Sequence, residues 1–482
     1  MWGSIKIKMK QLHELTISEV HAAYLNKDFT CVELVQHFLN RIEKYNPKYN
    51  IFLALNEHAL EQAADADKEI SEKGIGRELL GIPMAIKDNF LTVGLPTTAS
   101  SNILNGYVPQ YESTVTSKLL AAGAIFLGKT NMDSFAHGSS TETSDFGPTL
   151  NPWNPEKLPG GSSGGSAAAI SAQLVTAALG SETAGSIRQP AAWCGVTGLK
   201  PSYGRVSRYG CIAMASSTDQ PGPLTRSVAD AAIVLKVISG KDSSDATSSP
   251  APVEDYSSFL NKKDLRGVKI GLVKEYLMPS MRDEVKKLIL DAAEKLRELG
   301  ALVEEVSLMD PKYAIGTYTV ISRSEISSNL ARFDGIRYGH PRNTLCAETK
   351  RRILLGTYTL SAGYYDAFYK KAEAVRTKMI DQFIEIFKDY DAVIGAVSPG
   401  PALSVGATKN QPMFGEMEDV LVEQSSIAGL TSIGVPCGFV DDLPIGMQIT
   451  CDRLKESKSV EIADCFQRNT DFQEFPDIDK NL

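Results

Sequence analysis

No apolar run in the chain reaches eighteen residues, which excludes an ordinary membrane-spanning helix. Cysteine is sparse: Cys31, Cys194, Cys211, Cys346, Cys437, Cys451 and Cys465 form an odd, scattered set with no CxxC pair. That argues against a zinc site or a disulfide framework, and for reduced thiols in the cytoplasm. A secretory signal is not expected either, because Met1 to Lys10 is basic and polar. Excess basic charge is also missing, the formal net charge being -8. If the protein meets nucleic acid, another chain is expected to supply the basic surface. Histidine, the usual base of a serine hydrolase, occurs six times, as His13, His21, His37, His58, His137 and His340. The first four lie in polar N-terminal segments with helical periodicity, which suits solvated side chains, and the other two have no telling context.

What is present is glycine beside serine. Gly160 to Ser166 reads GGSSGGS, and farther on the chain reads Glu182-Thr183-Ala184-Gly185-Ser186. Glycine next to a hydroxyl lets backbone N–H groups approach a substrate, so each serine is a candidate nucleophile for a bound carbonyl. Either segment alone is more often a flexible loop. A base is offered by Gly81 to Asn89, a short apolar run that reads as a buried strand with Lys87 at its exit. Desolvation there lowers a lysine pKa, and a neutral amine can accept a hydroxyl proton. The competing reading is a lysine whose head snorkels into a surface salt bridge.

Two formal matches point elsewhere. Gly123 to Thr130 fits the phosphate-binding GxxxxGK[ST] pattern, but its interior Ala124-Ile125-Phe126-Leu127 suits a strand, and the helical stretch Ser113 to Ala122 precedes it rather than follows. The GxSxG pattern fits around Ser162 or Ser163, yet Asn151 to Pro155 upstream is loop, and only His340 lies downstream.

With 482 residues, 43% of them hydrophobic, the chain can bury a large core. Capping boxes Thr16/Glu19 and Thr30/Glu33 start two helices, the second with Val32, Val35, Phe38, Leu39 and Ile42 on one face. We read 1–70 as an N-terminal helical segment and 71–482 as one large domain, with a catalytic core at about 81–240. Lys241 to Val253 is a polar surface connection. Beyond it Val268 to Val273, Arg282 to Leu299 and Leu302 to Val306 read strand, helix, strand, so the class is α/β.

GIPMAIKDN, PGGSSGGSAAA and SETAGSIRQPAAWCG, in that order, resemble the amidase signature family from about residue 10 to about residue 470. NPWNPEKLPGGSSGGS, GLKPSYGRVSRYG from Gly198, SSNLARFDGIRYG from Ser327 and KRRILLGTYTLSAGYYDAFYKKA from Lys350 are similar to the family's branch of glutamine-using A subunits of tRNA-dependent amidotransferases. The resemblance implies a central mixed sheet covered by helices on both faces, and a Ser-cisSer-Lys triad. In it Ser186 is the nucleophile, Ser162 relays the proton, and Lys87 is the base. Backbone N–H groups of Thr183, Ala184, Gly185 and Ser186 would hold the oxyanion. Arg352 would take the α-carboxylate of glutamine and Asp419 its α-ammonium, with Tyr318, Gly138 and Ser139 completing the pocket. Outside the resemblance, Arg352 and Asp419 read as ordinary solvated charges on helices.

The resemblance further implies a heterotrimer with B and C subunits. The B subunit would use ATP and Mg2+ to activate Glu-tRNA(Gln) or Asp-tRNA(Asn) for a carbon–nitrogen ligase reaction, and no cofactor is expected on this chain. Three departures stand out. Glu182 replaces the usual aspartate and Ala184 the usual glycine, His137 stands where methionine is common, and the stretch from Tyr338 to Lys350 is shortened. A positive φ at 184 would strain alanine by about 1 kcal/mol. The rival readings are a stand-alone amidase on another small amide, and a non-catalytic scaffold.

Overall fold

The computed structural model describes residues 10–409 and 414–481. The basic stretch read at Met1 to Lys10 lies outside them but for Lys10. Eleven strands form one sheet: β1 (Phe52–Leu55), β2 (Pro83–Lys87), β3 (Ile125–Thr130), β4 (Ala177–Glu182), β5 (Thr197–Lys200), β6 (Gln220–Thr225), β7 (Lys269–Val273), β8 (Leu302–Val306), β9 (Ala392–Ala396), β10 (Thr431–Val440) and β11 (Leu443–Cys451). Their spatial order is β1-β3-β2-β4-β6-β5-β10-β11-β9-β7-β8. The sheet is mixed. β2 runs parallel to β3 and β4, and β7 to β8 and β9. The remaining neighbours are antiparallel.

Both capping boxes form. The second helix, Cys31–Tyr49, buries Leu34, Val35, Phe38 and Ile42, while Val32 and Leu39 are only partly covered. The first 70 residues also supply β1, which closes one sheet edge against β3. His13 and His37, expected in solvent, are instead half-buried and stacked with ring centroids 5.2 Å apart. The formal phosphate-loop match is β3 itself, preceded by the helix Thr114–Ala121. Its Lys129 is fully buried, 3.3 Å from Asp88 Oδ1, and donates to Phe90 O at 2.8 Å, so it is a structural cation. No helix among the described residues is long and apolar enough to cross a membrane.

The positioning consequence lies in the pair β2 and β4. They run parallel in register Met84↔Ala177 to Ile86↔Leu179, so their carboxyl ends emerge side by side. Ligands of open α/β sheets gather at such carboxyl ends. Lys87 is the last residue of β2 and Glu182 the last of β4.

Candidate active site

Lys87 has no exposed surface. Its Nζ donates to Ser162 Oγ at 2.8 Å, to Ser163 Oγ at 2.8 Å and to Ser181 O at 3.0 Å. Burial pulls its pKa down to about 7, against the opposing pull of Cys211, Asp133, Asp219 and Glu182. The snorkelling reading is thereby excluded. The contact of Ser163 with the base is not evident from the sequence, although the doubled serine of GGSSGG is a signal for it. The Gly161–Ser162 peptide bond is cis. Glycine is required at 161 because a Cβ there would overlap Asp133 Oδ2 and lie 2.5 Å from Ser140 N. Directly after the two serines, Gly164–Ser171 forms a fully buried helix against the sheet. Ser186 joins the cluster through its main chain, its carbonyl accepting from Ser163 N at 3.1 Å.

The turn 183–186 is held from beneath by Glu182 and Arg188. One Glu182 oxygen accepts from the N–H groups of Ile187 and Arg188, both at 3.0 Å, and the other pairs with the Arg188 guanidinium. Neither side chain has exposed surface. Arg188 also donates to Ala184 O at 2.9 Å, Val422 O at 3.0 Å, Gln448 Oε1 at 2.6 Å and the hydroxyls of Ser425, Ser426 and Ser432. The glutamate is thus an integral cap of the helix Arg188–Cys194. The carbonyl of Ala184 is pinned toward Arg188 and Ser426. Among the described residues the N–H groups of Thr183, Ala184, Gly185 and Ser186 have no protein acceptor. Ala184 does not adopt positive φ, so the strain expected from its replacement of glycine is absent.

Asp419 touches the same turn, close enough that a Cβ at Gly185 would overlap Asp419 Oδ1. That oxygen is buried with no hydrogen-bond partner, and burial with Glu182 and Glu418 nearby pushes the carboxyl pKa well above its usual range. Tyr318 reaches the turn from the other side, its hydroxyl 2.8 Å from Thr183 Oγ1. Arg352, on the helix Ala347–Leu360, is buried too; its Nε donates to Glu348 Oε1 at 2.6 Å, and its Nη2 lies 3.7 Å from Glu416 Oε1. Neither Arg352 nor Asp419 is a solvated surface charge. Gly138 packs on Asp133, whose carboxylate accepts from the N–H groups of Ser140 and Thr141, and the Ser139 backbone abuts Gly161. His137 is fully buried, with Nδ1 3.1 Å from Thr349 Oγ1 and Nε2 unpartnered; burial and the two cations Arg352 and Arg323 hold its pKa well below the usual value. Sequence reasoning misses Arg323, Glu416 and Glu423, all buried in this same region, because nothing local marks a buried charge on a polar helix. No group of three or more metal-ligating side chains occurs among the described residues.

A mixed α/β sheet that gathers a desolvated lysine, two serine-bearing turns and unpaired N–H groups at parallel strand ends has the parts of a serine acyl-transfer site. The Amidase family model matches residues 33–460. The chain belongs to the amidase family. It is 47% identical over 476 residues to the A subunit of the Pediococcus pentosaceus glutamyl-tRNA(Gln) amidotransferase, covering 95% of this chain and 97% of that protein. The protein of the same name from Staphylococcus carnosus is 49% identical over 459 residues, 92% of this chain and 94% of that one. Among solved structures, the A subunit of the Thermotoga maritima glutamyl-tRNA(Gln) amidotransferase superposes with a TM-score of 0.83 at 40% identity, covering 97% of this chain and 98% of that chain. The peptide amidase of Stenotrophomonas maltophilia does so with a TM-score of 0.84 at 30% identity, over 97% and 99%.

Proposed function

We propose that this chain is the glutamine-hydrolysing subunit of a tRNA-dependent amidotransferase. The observation that carries the chemistry is Lys87 Nζ, 2.8 Å from Ser162 Oγ and with a pKa near 7, in a chain alike over nearly its whole length to proteins of that name. Ser186 Oγ attacks the side-chain amide carbon of L-glutamine. Its proton passes through Ser162 to neutral Lys87, and the tetrahedral oxyanion is met by N–H groups of Thr183 to Ser186. Collapse breaks the C–N bond, and the proton returns through Ser162 to the leaving nitrogen, releasing ammonia. Water then attacks the γ-glutamyl ester by the same relay run again, giving glutamate and free Ser186. Arg352 binds the α-carboxylate in place of its contact with Glu416, Asp419 the α-ammonium, and Tyr318, Gly138 and Ser139 shape the pocket. The ammonia serves B and C partner subunits in the cytoplasm, the B subunit using ATP and Mg2+ on Glu-tRNA(Gln) or Asp-tRNA(Asn).

The test is ammonia release from glutamine by the protein purified with its partners, with mass spectrometry for an acyl adduct on Ser186. Wild type forms both ammonia and adduct, and Ser186→Ala neither. A wild-type complex that releases no ammonia overturns the reading. A stand-alone amidase is the second reading, favoured by the likeness to the peptide amidase. Purification without partners would select it.

A further inference from the structure

Glu423 opens the short helix Glu423–Ile427, one turn after Asp419, and its N–H donates to Asp419 O at 3.2 Å. The side chain has no exposed surface, and both carboxylate oxygens lack a hydrogen-bond partner. Its electrostatic neighbours are Asp419, Arg323 and Arg352, and it acts in turn on Tyr318, whose hydroxyl meets Thr183. Glu423 therefore lies among the groups that surround the reacting turn. The cations that would neutralise it are engaged elsewhere. Arg323 Nη1 donates to Ser322 Oγ at 2.9 Å and Nη2 pairs with Glu416, while Arg352 pairs with Glu348 and approaches Glu416. No Lys, Arg or His among the described residues forms an ion pair with Glu423 or Asp419. Burial first, and neighbouring carboxyls second, push both groups well above the usual carboxylate range, and a cationic ligand between them is the group that would relieve that cost.

We propose that Glu423 is a second carboxylate for the substrate's ammonium group, forming with Asp419 a two-sided clamp that makes the site select amides carrying that cation. The inference rests on the assignment of Asp419 to the ammonium. It adds a residue of a type that is almost never fully buried unless paired.

The test uses Glu423→Gln, which keeps the shape, in the protein purified with its partners. Two amides are compared: L-glutamine, and glutaramate, which is glutamine without its ammonium. Expected are a rise of about 10- to 100-fold in KM for glutamine, an unchanged KM for glutaramate, and a raised unfolding midpoint of the ligand-free protein. An unchanged glutamine KM, or equal weakening of both amides, overturns the proposal. Calorimetry on Ser186→Ala separates it from the glutaminase reading. If wild type fails to hydrolyse glutamine, yet Ser186→Ala binds it in preference to glutaramate and loses that preference with Glu423→Gln, the hydrolytic reading falls and the clamp stands. Equal binding of the two amides to Ser186→Ala overturns the clamp whatever the hydrolysis result.

Discussion

Lys87 is costly where it stands, and its cost is its use. A lysine whose pKa is about 7 in the folded protein and about 10.4 when unfolded holds fewer protons in the native state between those values. Its penalty is therefore full below about pH 7 and fades as pH rises toward 10. Two expectations follow at this one residue. The rate constant kcat/KM for glutamine rises with pH through about 7 and levels off above it, as the amine becomes free to accept the Ser162 proton. Lys87→Met loses about 100- to 10,000-fold in kcat and is more stable than wild type at pH 7. A pH–rate profile and thermal melts check both, and a profile flat from pH 6 to pH 9 would remove Lys87 as the base. Ala184 stands where a glycine is usual, at the centre of the turn 183–186 proposed to hold the oxyanion. Since its φ is not positive, Ala184→Gly should leave kcat within about threefold and lower stability by less than about 1 kcal/mol, from chain entropy.

At the scale of elements, the turn between β4 and the helix Arg188–Cys194 depends on one buried ion pair. Glu182 caps that helix and neutralises Arg188, while Arg188 ties the turn to Val422, Ser425, Ser426, Ser432 and Gln448. Removing one partner leaves a buried charge unpaired. Glu182→Gln should cost about 3–5 kcal/mol in urea unfolding and lower kcat through a loosened turn at 183–186. A loss below about 1 kcal/mol would show that Arg188 is neutralised elsewhere. Gly185→Ala should abolish activity, because its Cβ would overlap Asp419 Oδ1 and lie 2.7 Å from Val422 Cγ2. Strands β2, β7 and β8 were legible in the sequence, since Gly81 to Asn89, Val268 to Val273 and Leu302 to Val306 show their periods locally, whereas β4, which carries this turn, was not singled out within the core read at about 81–240. β1 was hidden because four residues, Phe52–Leu55, give too short a pattern to stand out from two long helices.

Over the whole molecule, the interior carries ionisable groups of both signs. Burial raises Asp219 to about 7 and Asp230 to about 6, and lowers Lys87 and Lys200 to about 7. The acids bind more protons folded than unfolded between about pH 4 and pH 7, so their contribution to stability falls as pH rises through that window. The lysines bind fewer protons folded between about pH 7 and pH 10, so theirs recovers as pH rises further. These four groups together place a minimum in stability near pH 7, opposed on its acid side by His13 and His137, whose burial holds their pKa low. Denaturant midpoints from pH 5 to pH 9 check it, and a maximum near pH 7 would show that other groups dominate.

The sequence by itself determined the amidase family and the α/β class, because an ordered set of motifs and strand and helix periods are written along the chain, and it offered Lys87, Ser162 and Ser186 as the candidate trio. It also supplied Arg352, Asp419 and Tyr318 by resemblance. Only the tertiary structure decided that Lys87 is desolvated between two serines, that Glu182 and Arg188 brace the turn, and that Glu423 stands unpaired beside Asp419. The reason is physical: a residue's type and spacing are written along the chain, whereas its charge state depends on burial and neighbours brought from more than two hundred positions away, as Ser425 is to Arg188.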